Sequence, residues 1–320
     1  RQRRIDRLEG RVAANGGSNL AGFQLPGSQS LPLTASASEG RMAMQASLAA
    51  ANQGGALKGV LGNRSGKGSV DVWAEAQFSN FELGQGDGDF QVVYVGADYV
   101  ASDRLLVGAM AQYDAFDYNK GGAGDVDGEG FLVGPYATVK LGDQAWFDGR
   151  VAWGSSDNEV NALGTFSDAF DTSRALYSAS VSGDFDVSKG TAKGATTLTP
   201  QLSVRYLDET QKAYTDGLGV RIPEQSIGLG EVSLAPRLSH TVTRTSGWTV
   251  SPYAQAEGIL SFGDAADEVF GSDTRLRFEG GSGFMSPNGA RFGVSAFADG
   301  LGESGYENYG LRFSVSYTMK

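Results

Sequence analysis

From Val70 onward, apolar residues recur at every second position, and the pattern persists to the end of the chain. It is clearest in the stretch Gln91 to Phe116, QVVYVGADYVASDRLLVGAMAQYDAF. There Val93, Val95, Ala97 and Tyr99 alternate with Tyr94, Gly96 and Asp98. After the turn Ala101-Ser102-Asp103, Leu105, Val107, Ala109, Ala111 and Tyr113 alternate with Leu106, Gly108, Met110, Gln112 and Asp114. Successive strand residues point to opposite faces, so each strand has one apolar face and one face of small, polar and charged groups. Twelve strands of this kind can be counted, beginning near Val70, Gln91, Leu105, Gly130, Ala145, Arg174, Leu198, Glu231, Val250, Arg275, Arg291 and Leu311.

What the apolar face meets follows from the other face. That face carries Asp98, Arg150, Arg174, Arg205, Glu231, Arg237, Glu257, Arg275, Arg277 and Arg312 at mid-strand. Charges there cannot form the dry core of a sandwich, because burying them unpaired is too costly. They suit the polar interior of a barrel whose outside faces lipid. Tyr99, Tyr113, Trp153, Tyr206 and Tyr317 lie near strand ends on the apolar face, where a membrane barrel carries aromatic girdles. The connections alternate as well. Glu82–Asp89, Asp117–Glu129, Ser155–Asp171, Asp208–Glu224 and Gly263–Asp273 read as long loops, whereas Ala101–Asp103, Gly142–Asp143 and Ser286–Asn288 are short turns.

Composition agrees. Gly is 47 of 320 residues, about twice the usual share, and no apolar run is long enough for a membrane-spanning helix. Barrel strands escape that test because only half their residues are apolar. Without cysteine there is no disulfide, thiolate metal site or cysteine nucleophile. Residues 1–66 hold 8 basic and 3 acidic residues, a net +5, against a net −16 for residues 67–320. The acidic bulk argues against nucleic acid as a partner. A basic leader on an acidic body suggests that the first docks on or inside the second.

The chain divides into residues 1–68, a helical and linker segment, and residues 69–320, the barrel. Helices are expected at about 1–14, with Ile5, Leu8 and Val12 on one stripe, and at about 39–52, with Ser38 as N-cap and Gly54-Gly55 as stop. A start at Arg1 reads as the C-terminal part of a longer protein.

Five motifs in order, VWAE (Val72 to Glu75), VGADY (Val95 to Tyr99), VGPYA (Val133 to Ala137), RVAWG (Arg150 to Gly154) and PYAQAEG (Pro252 to Gly258), resemble the C-terminal β-domain of autotransporters. The resemblance implies a twelve-stranded antiparallel transmembrane β-barrel with an N-terminal α-helix in its lumen. It also implies export of an N-terminal passenger across the outer membrane of a Gram-negative bacterium, with help from the barrel-assembly machinery. The outer-membrane bilayer and the chain's own passenger would be its partners, and the barrel would be a monomer. An even strand number puts both barrel ends in the periplasm. Trp73, Glu75, Gly96, Asp98, Gly108, Tyr136, Arg150, Tyr253 and Glu257 are then lumen-facing candidates for contact with the plug helix, for which residues 39–52 are favoured over 1–14. Inward Gly96, Gly108, Gly134 and Gly154 leave space where a helix backbone could lie. Leu311, Phe313, Val315 and Tyr317 form the alternating last strand that assembly reads, although the chain ends Met319-Lys320 rather than in an aromatic.

A porin-like diffusion pore is the alternative that shares the barrel, and a soluble adhesive β-domain the alternative that does not. No catalytic, cofactor or metal site is expected. His240 is the sole histidine and faces outward beside Ser239, and the acidic stretches Asp125–Glu129 and Gly86–Asp89 lack the spacing of a full calcium loop.

Overall fold

The computed structural model describes residues 68, 70–83, 86–119, 124–162, 166–191, 194–263, 274–287, 290–301 and 306–316. Both expected helices, at 1–14 and 39–52, and Tyr317 lie outside these residues. Six long strands open the wall: β1 (Val70–Leu83), β2 (Gly86–Ser102), β3 (Leu105–Asn119), β4 (Gly124–Lys140), β5 (Ala145–Ala162) and β6 (Phe166–Gly183). The chain continues through β7 (Phe185–Thr191), β8 (Gly194–Thr199), β9 (Gln201–Gln211) and a small ribbon of β10 (Tyr214–Thr215) and β11 (Arg221–Ile222). It ends with β12 (Gln225–Leu234), β13 (Arg237–Thr243), β14 (Thr249–Phe262), β15 (Thr274–Met285), β16 (Arg291–Asp299) and β17 (Tyr306–Ser316).

All the wall pairings are antiparallel. β6–β7, β8–β9 and β12–β13 are each one wall strand interrupted by a short break, so the closed barrel has twelve strands. Proline, which cannot donate to a ladder, sits at two of the breaks, Pro200 and Pro236. Pairing resumes across them: Ala235 N–H donates to Gln201 O at 2.8 Å, and Ala256 N–H to Pro236 O at 3.3 Å. Closure comes where β1 meets β17, in register from Ala74↔Val315 to Leu83↔Tyr306. The barrel therefore starts and ends at one rim, here called the terminal rim, with the strand tips Leu83, Asn119, Ala162 and Gln211 at the opposite, far rim.

The inside and outside follow the alternation. Val95, Val133, Phe278 and Phe313 on the outside are 45–49% exposed. Every mid-strand charge assigned to the inner face is buried, Arg277 at 1% and Glu257 at 2% among them. The girdle residues Tyr99, Tyr113 and Trp153 are exposed on the outside.

Toward the far rim the two faces exchange character, and here the structure corrects the sequence reading. Glu82–Asp89, Asp117–Glu129 and Ser155–Asp171, expected as long loops, are mostly strand, leaving gaps of only a few residues. In this zone the apolar side chains point inward, with Val92 and Val160 at 0% exposure and Phe90 at 2%. Acidic side chains such as Asp89, Asp117, Asp127 and Glu159 point outward. The period of two is unbroken but its sense is inverted, because outside the hydrocarbon layer the barrel obeys water-soluble rules. The two acidic stretches once read against a calcium loop are therefore extended strand.

One consequence is a ladder of like charges. Asp89, Asp117, Asp127 and Glu159 are direct cross-strand neighbours on the outer face. Partial burial, then Asp125, Asp89 and Asp87, push the Asp117 carboxyl above its ordinary pKa; partial burial, then Glu159, Asp117 and Asp125, do the same to Asp127. An acid whose pKa is raised by folding destabilises the fold while ionised, and that penalty fades as pH falls through the raised pKa. Asp117→Asn is expected to raise the unfolding midpoint at neutral pH, by the equivalent of about 0.2–1 kcal/mol for an opposed pair. The gain should shrink as the pH approaches the ordinary carboxylate value of about 4. Thermal loss of the compact band on unboiled gels, run at several pH values, reads both effects.

Candidate functional site

The lumen is where the inward residues meet, and its chemistry is built strand by strand. On β1, Trp73 points in and its Nε1–H donates to Tyr136 OH on β4 at 2.6 Å and to Asp98 Oδ1 on β2 at 3.3 Å. Tyr136 OH in turn donates to Asp98, so three strands are tied by one carboxylate, one phenol and one indole. Two glycines make this possible. A Cβ on Gly96 would run into the Trp73 ring, and a Cβ on Gly108 into the Tyr136 ring. The space that the sequence assigned to a helix backbone at these two positions is thus filled by aromatic rings from the neighbouring strands. At Gly134 and Gly154 a Cβ would instead strike the backbone of the adjacent strand, at Val151 and Phe131.

A second cluster laces the closure between the first and last strands. Arg312 on β17 donates from Nη2 to Gln77 Oε1 on β1 at 2.7 Å and from Nε to the same oxygen at 3.2 Å. It also pairs with Glu75 at 3.4 Å and with Glu279 on β15 at 3.2 Å. Tyr253 OH donates to Glu279 at 2.6 Å, and the Arg237 guanidinium lies 3.6 Å above the Tyr253 ring. Arg277 sits directly across from Glu257 and from Asp299 in the ladder and stacks 3.8 Å over Phe297.

Nearer the far rim, Arg275 joins Glu231 at 2.6 Å and Asp299 at 3.2 Å, and Arg174 joins Asp114 at 2.8 Å and Glu209 at 3.4 Å. Taking ions out of water is expensive, and an inward charge is tolerable only when such partners surround it.

The nine lumen-facing candidates all lie on the inner face. Trp73, Gly96, Asp98, Gly108 and Tyr136 form one group; Glu75 and Tyr253 join the Arg312 cluster; Arg150 lies across from Tyr136, with Nη1 3.7 Å from Met110 Sδ. Leu311, Phe313 and Val315 alternate outward on the last strand, each 45–49% exposed. Arg312, Gln77, Glu279, Arg275, Glu231 and Asp299 are among the luminal residues absent from that set. Arg312, Arg275 and Glu231 are inward on the alternation alone, but which of them pair depends on the stagger between strands.

Ser239 and His240 fall on opposite faces, and His240 Nδ1 bonds Thr196 Oγ1 at 2.9 Å, so no nucleophile and base are brought together there. Among the described residues no group of three or more His, Asp or Glu side chains could hold a metal.

The autotransporter beta-domain family model matches residues 65–299, most of the barrel. The chain belongs to that family. Three solved autotransporter barrels share its fold. The β-domain of the Bordetella autotransporter BrkA aligns at a TM-score of 0.65 and 19% identity, covering 78% of this chain and 100% of that one. The transport unit of AIDA-I from Escherichia coli aligns at 0.69 and 16%, covering 88% and 98%. The translocator domain of NalP from Neisseria meningitidis aligns at 0.64 and 16%, covering 90% and 100%. No curated protein sequence matches the chain significantly. As an autotransporter beta-domain the chain is an outer-membrane translocator of a Gram-negative bacterium, a transport barrel.

Proposed function

We propose that this β-domain carries an N-terminally linked passenger outward through its own lumen, with its terminal rim in the periplasm and its far rim outside the cell. The observation that carries the reading is the inverted far zone. Its outward carboxylates need water around them, while its apolar side chains turn inward, away from where lipid would be. A polar rim suits the cell surface, where nothing limits its height. With the terminal rim periplasmic, residues 1–68 lead from the passenger to β1, and the barrel is assembled as a monomer by the barrel-assembly machinery reading β17.

Residues 39–52 are the segment proposed to lie in the lumen. Gly96 and Gly108 would then serve it indirectly, by seating Trp73 and Tyr136 flat so that the segment meets rings and the Glu75, Arg150, Tyr253 and Glu257 side chains. The basic character of residues 1–66, net +5 against an acidic barrel, supports entry of that part of the chain. A diffusion pore is less well supported, because the family model that matches residues 65–299 is that of autotransporter beta-domains.

The test is surface delivery. An epitope fused ahead of Arg1, behind an export signal, should be labelled by antibody on intact cells. An epitope that stays protected in cells whose barrel runs as the compact, heat-modifiable band would overturn the proposal.

A further inference from the structure

At the terminal rim the wall leaves two buried polar groups unused. Trp146 on β5 and Ser182 on β6 are direct cross-strand neighbours on the inner face. They are 0% and 4% exposed, yet neither the Trp146 Nε1–H nor the Ser182 hydroxyl meets a hydrogen-bond partner among the described residues. A buried donor without an acceptor is costly, so such a pair marks a place where something else supplies one. Two residues along β5 stands Asp148, inward and 6% exposed, which accepts from Thr138 Oγ1 at 2.6 Å. Ser180 and Ser203 continue the ladder row from Asp148, and such short side chains leave depth beside it.

The chain that precedes β1 arrives at the same rim. Gly68 N–H donates to Val100 O at 2.8 Å, near the end of β2. Its φ of +87° lies in the left-handed region, which turns the chain out of the line of β1. Residues 58–67, KGVLGNRSGK, carry Lys58, Arg64 and Lys67 and no acid. From β2 to β5 is three strand spacings, about 14 Å along the wall. Four residues of extended chain span about 14 Å, so Arg64, four before Gly68, can reach Asp148.

We propose that Trp146, Asp148 and Ser182 form a docking cleft for residues 58–67. Asp148 takes the Arg64 guanidinium, while the Trp146 Nε1–H and the Ser182 O–H donate to backbone carbonyls of the glycine-rich segment. The choice of occupant follows from the chemistry of the three groups together. A free cation would answer Asp148 and leave both donors unmet; a free anion would suit the donors and be repelled by Asp148. An extended basic peptide brings a cation and a carbonyl at every residue, and so uses all three. The cleft latches the leader where it enters the barrel. It depends on neither the membrane orientation nor the place of residues 39–52 proposed above, because Gly68 and the three wall residues share one rim in either case.

Disulfide trapping tests it in the 320-residue chain, which has no cysteine of its own. Asn63→Cys is combined in turn with Ser182→Cys, with Val181→Cys on the outer face, and with Ser295→Cys, inward on β16. Position 182 should give most of the cross-linked product. Equal product at 181 or 295, or none at 182 in a barrel that runs as the compact band, refutes the cleft. Trypsin gives a second reading on the cysteine-free chain. Cutting after Arg64 should quicken about tenfold when Trp146→Phe and Ser182→Ala remove the two donors, and about threefold for Ser182→Ala alone. Unchanged rates would mean that water alone meets these donors, and would overturn the proposal. Should a cysteine variant lack the compact band, the trypsin rates decide; should the double variant lack it, Ser182→Ala decides. Surface delivery of an epitope is read separately, so a barrel that exports but shows neither effect refutes the cleft and leaves the translocator reading standing.

Discussion

Arg312→Met is expected to cost the closed barrel about 3–5 kcal/mol, the range for removing one partner of a buried ion pair. The loss would show as a fall in the temperature or urea concentration at which the compact band disappears. Glu75 and Glu279 would keep their charges and their burial, at 4% and 5% exposure, while losing a partner at 3.4 and 3.2 Å. Gln77 would lose two bonds from the same guanidinium. Because these contacts join β17 to β1 and β15, the damage falls on the joint where the barrel closes. Lysine should not rescue it, since one ammonium cannot reproduce a fork that reaches three side chains. Adding Glu279→Gln to Arg312→Met should recover part of the loss, and a purely additive pair would show that the ion pair is not the cause.

Val95→Arg is the second large effect, and it acts on the other face. Val95 is 47% exposed on the outside, between Ala74 and Ala111 in the ladder. An arginine near the middle of the lipid layer costs about 2–4 kcal/mol on a barrel's outer face. Membrane insertion, followed by the appearance of the compact band, should be strongly reduced. The matched control is Ser178→Glu, which points inward with Arg150 and Arg205 on either side in the ladder and adds a carboxylate between two cations. It should assemble nearly as well as the natural chain. Equal damage at both positions would contradict the assignment of faces.

The division into faces was legible because alternation is local, needing only a strand and a count of two. Val93 and Val95 read as outward and Asp98 as inward without any knowledge of their neighbours, and so they are. The partners were not legible. Arg312 meets Glu75, 237 positions away in sequence, because of how far each strand is staggered against the next, and no single strand carries that information. The glycines show the same limit. Gly96 and Gly108 signal that something comes close, but that the visitors are Trp73 and Tyr136 depends on register. The far zone was misread for a different reason. Asp125, Asp127 and Glu129 look like a loop to a reader expecting the apolar residues of a strand to stay on one face. In fact Val126 holds the inner face while the acids take the outer one.

The most direct measurement of the central claim, that the chain's own N-terminal segment occupies this lumen, is disulfide trapping, which the absence of native cysteine makes clean. Ser47→Cys would be combined in turn with cysteine at Ser251, Gln255 or Glu257, all inward on β14, and at Ala254 or Ala256, their outward neighbours. The account predicts cross-links to one or more of the inward positions and none to the outward pair. Cross-linking to Ala254 or Ala256 at equal yield, or to none of the five in a barrel that displays its epitope, would contradict it.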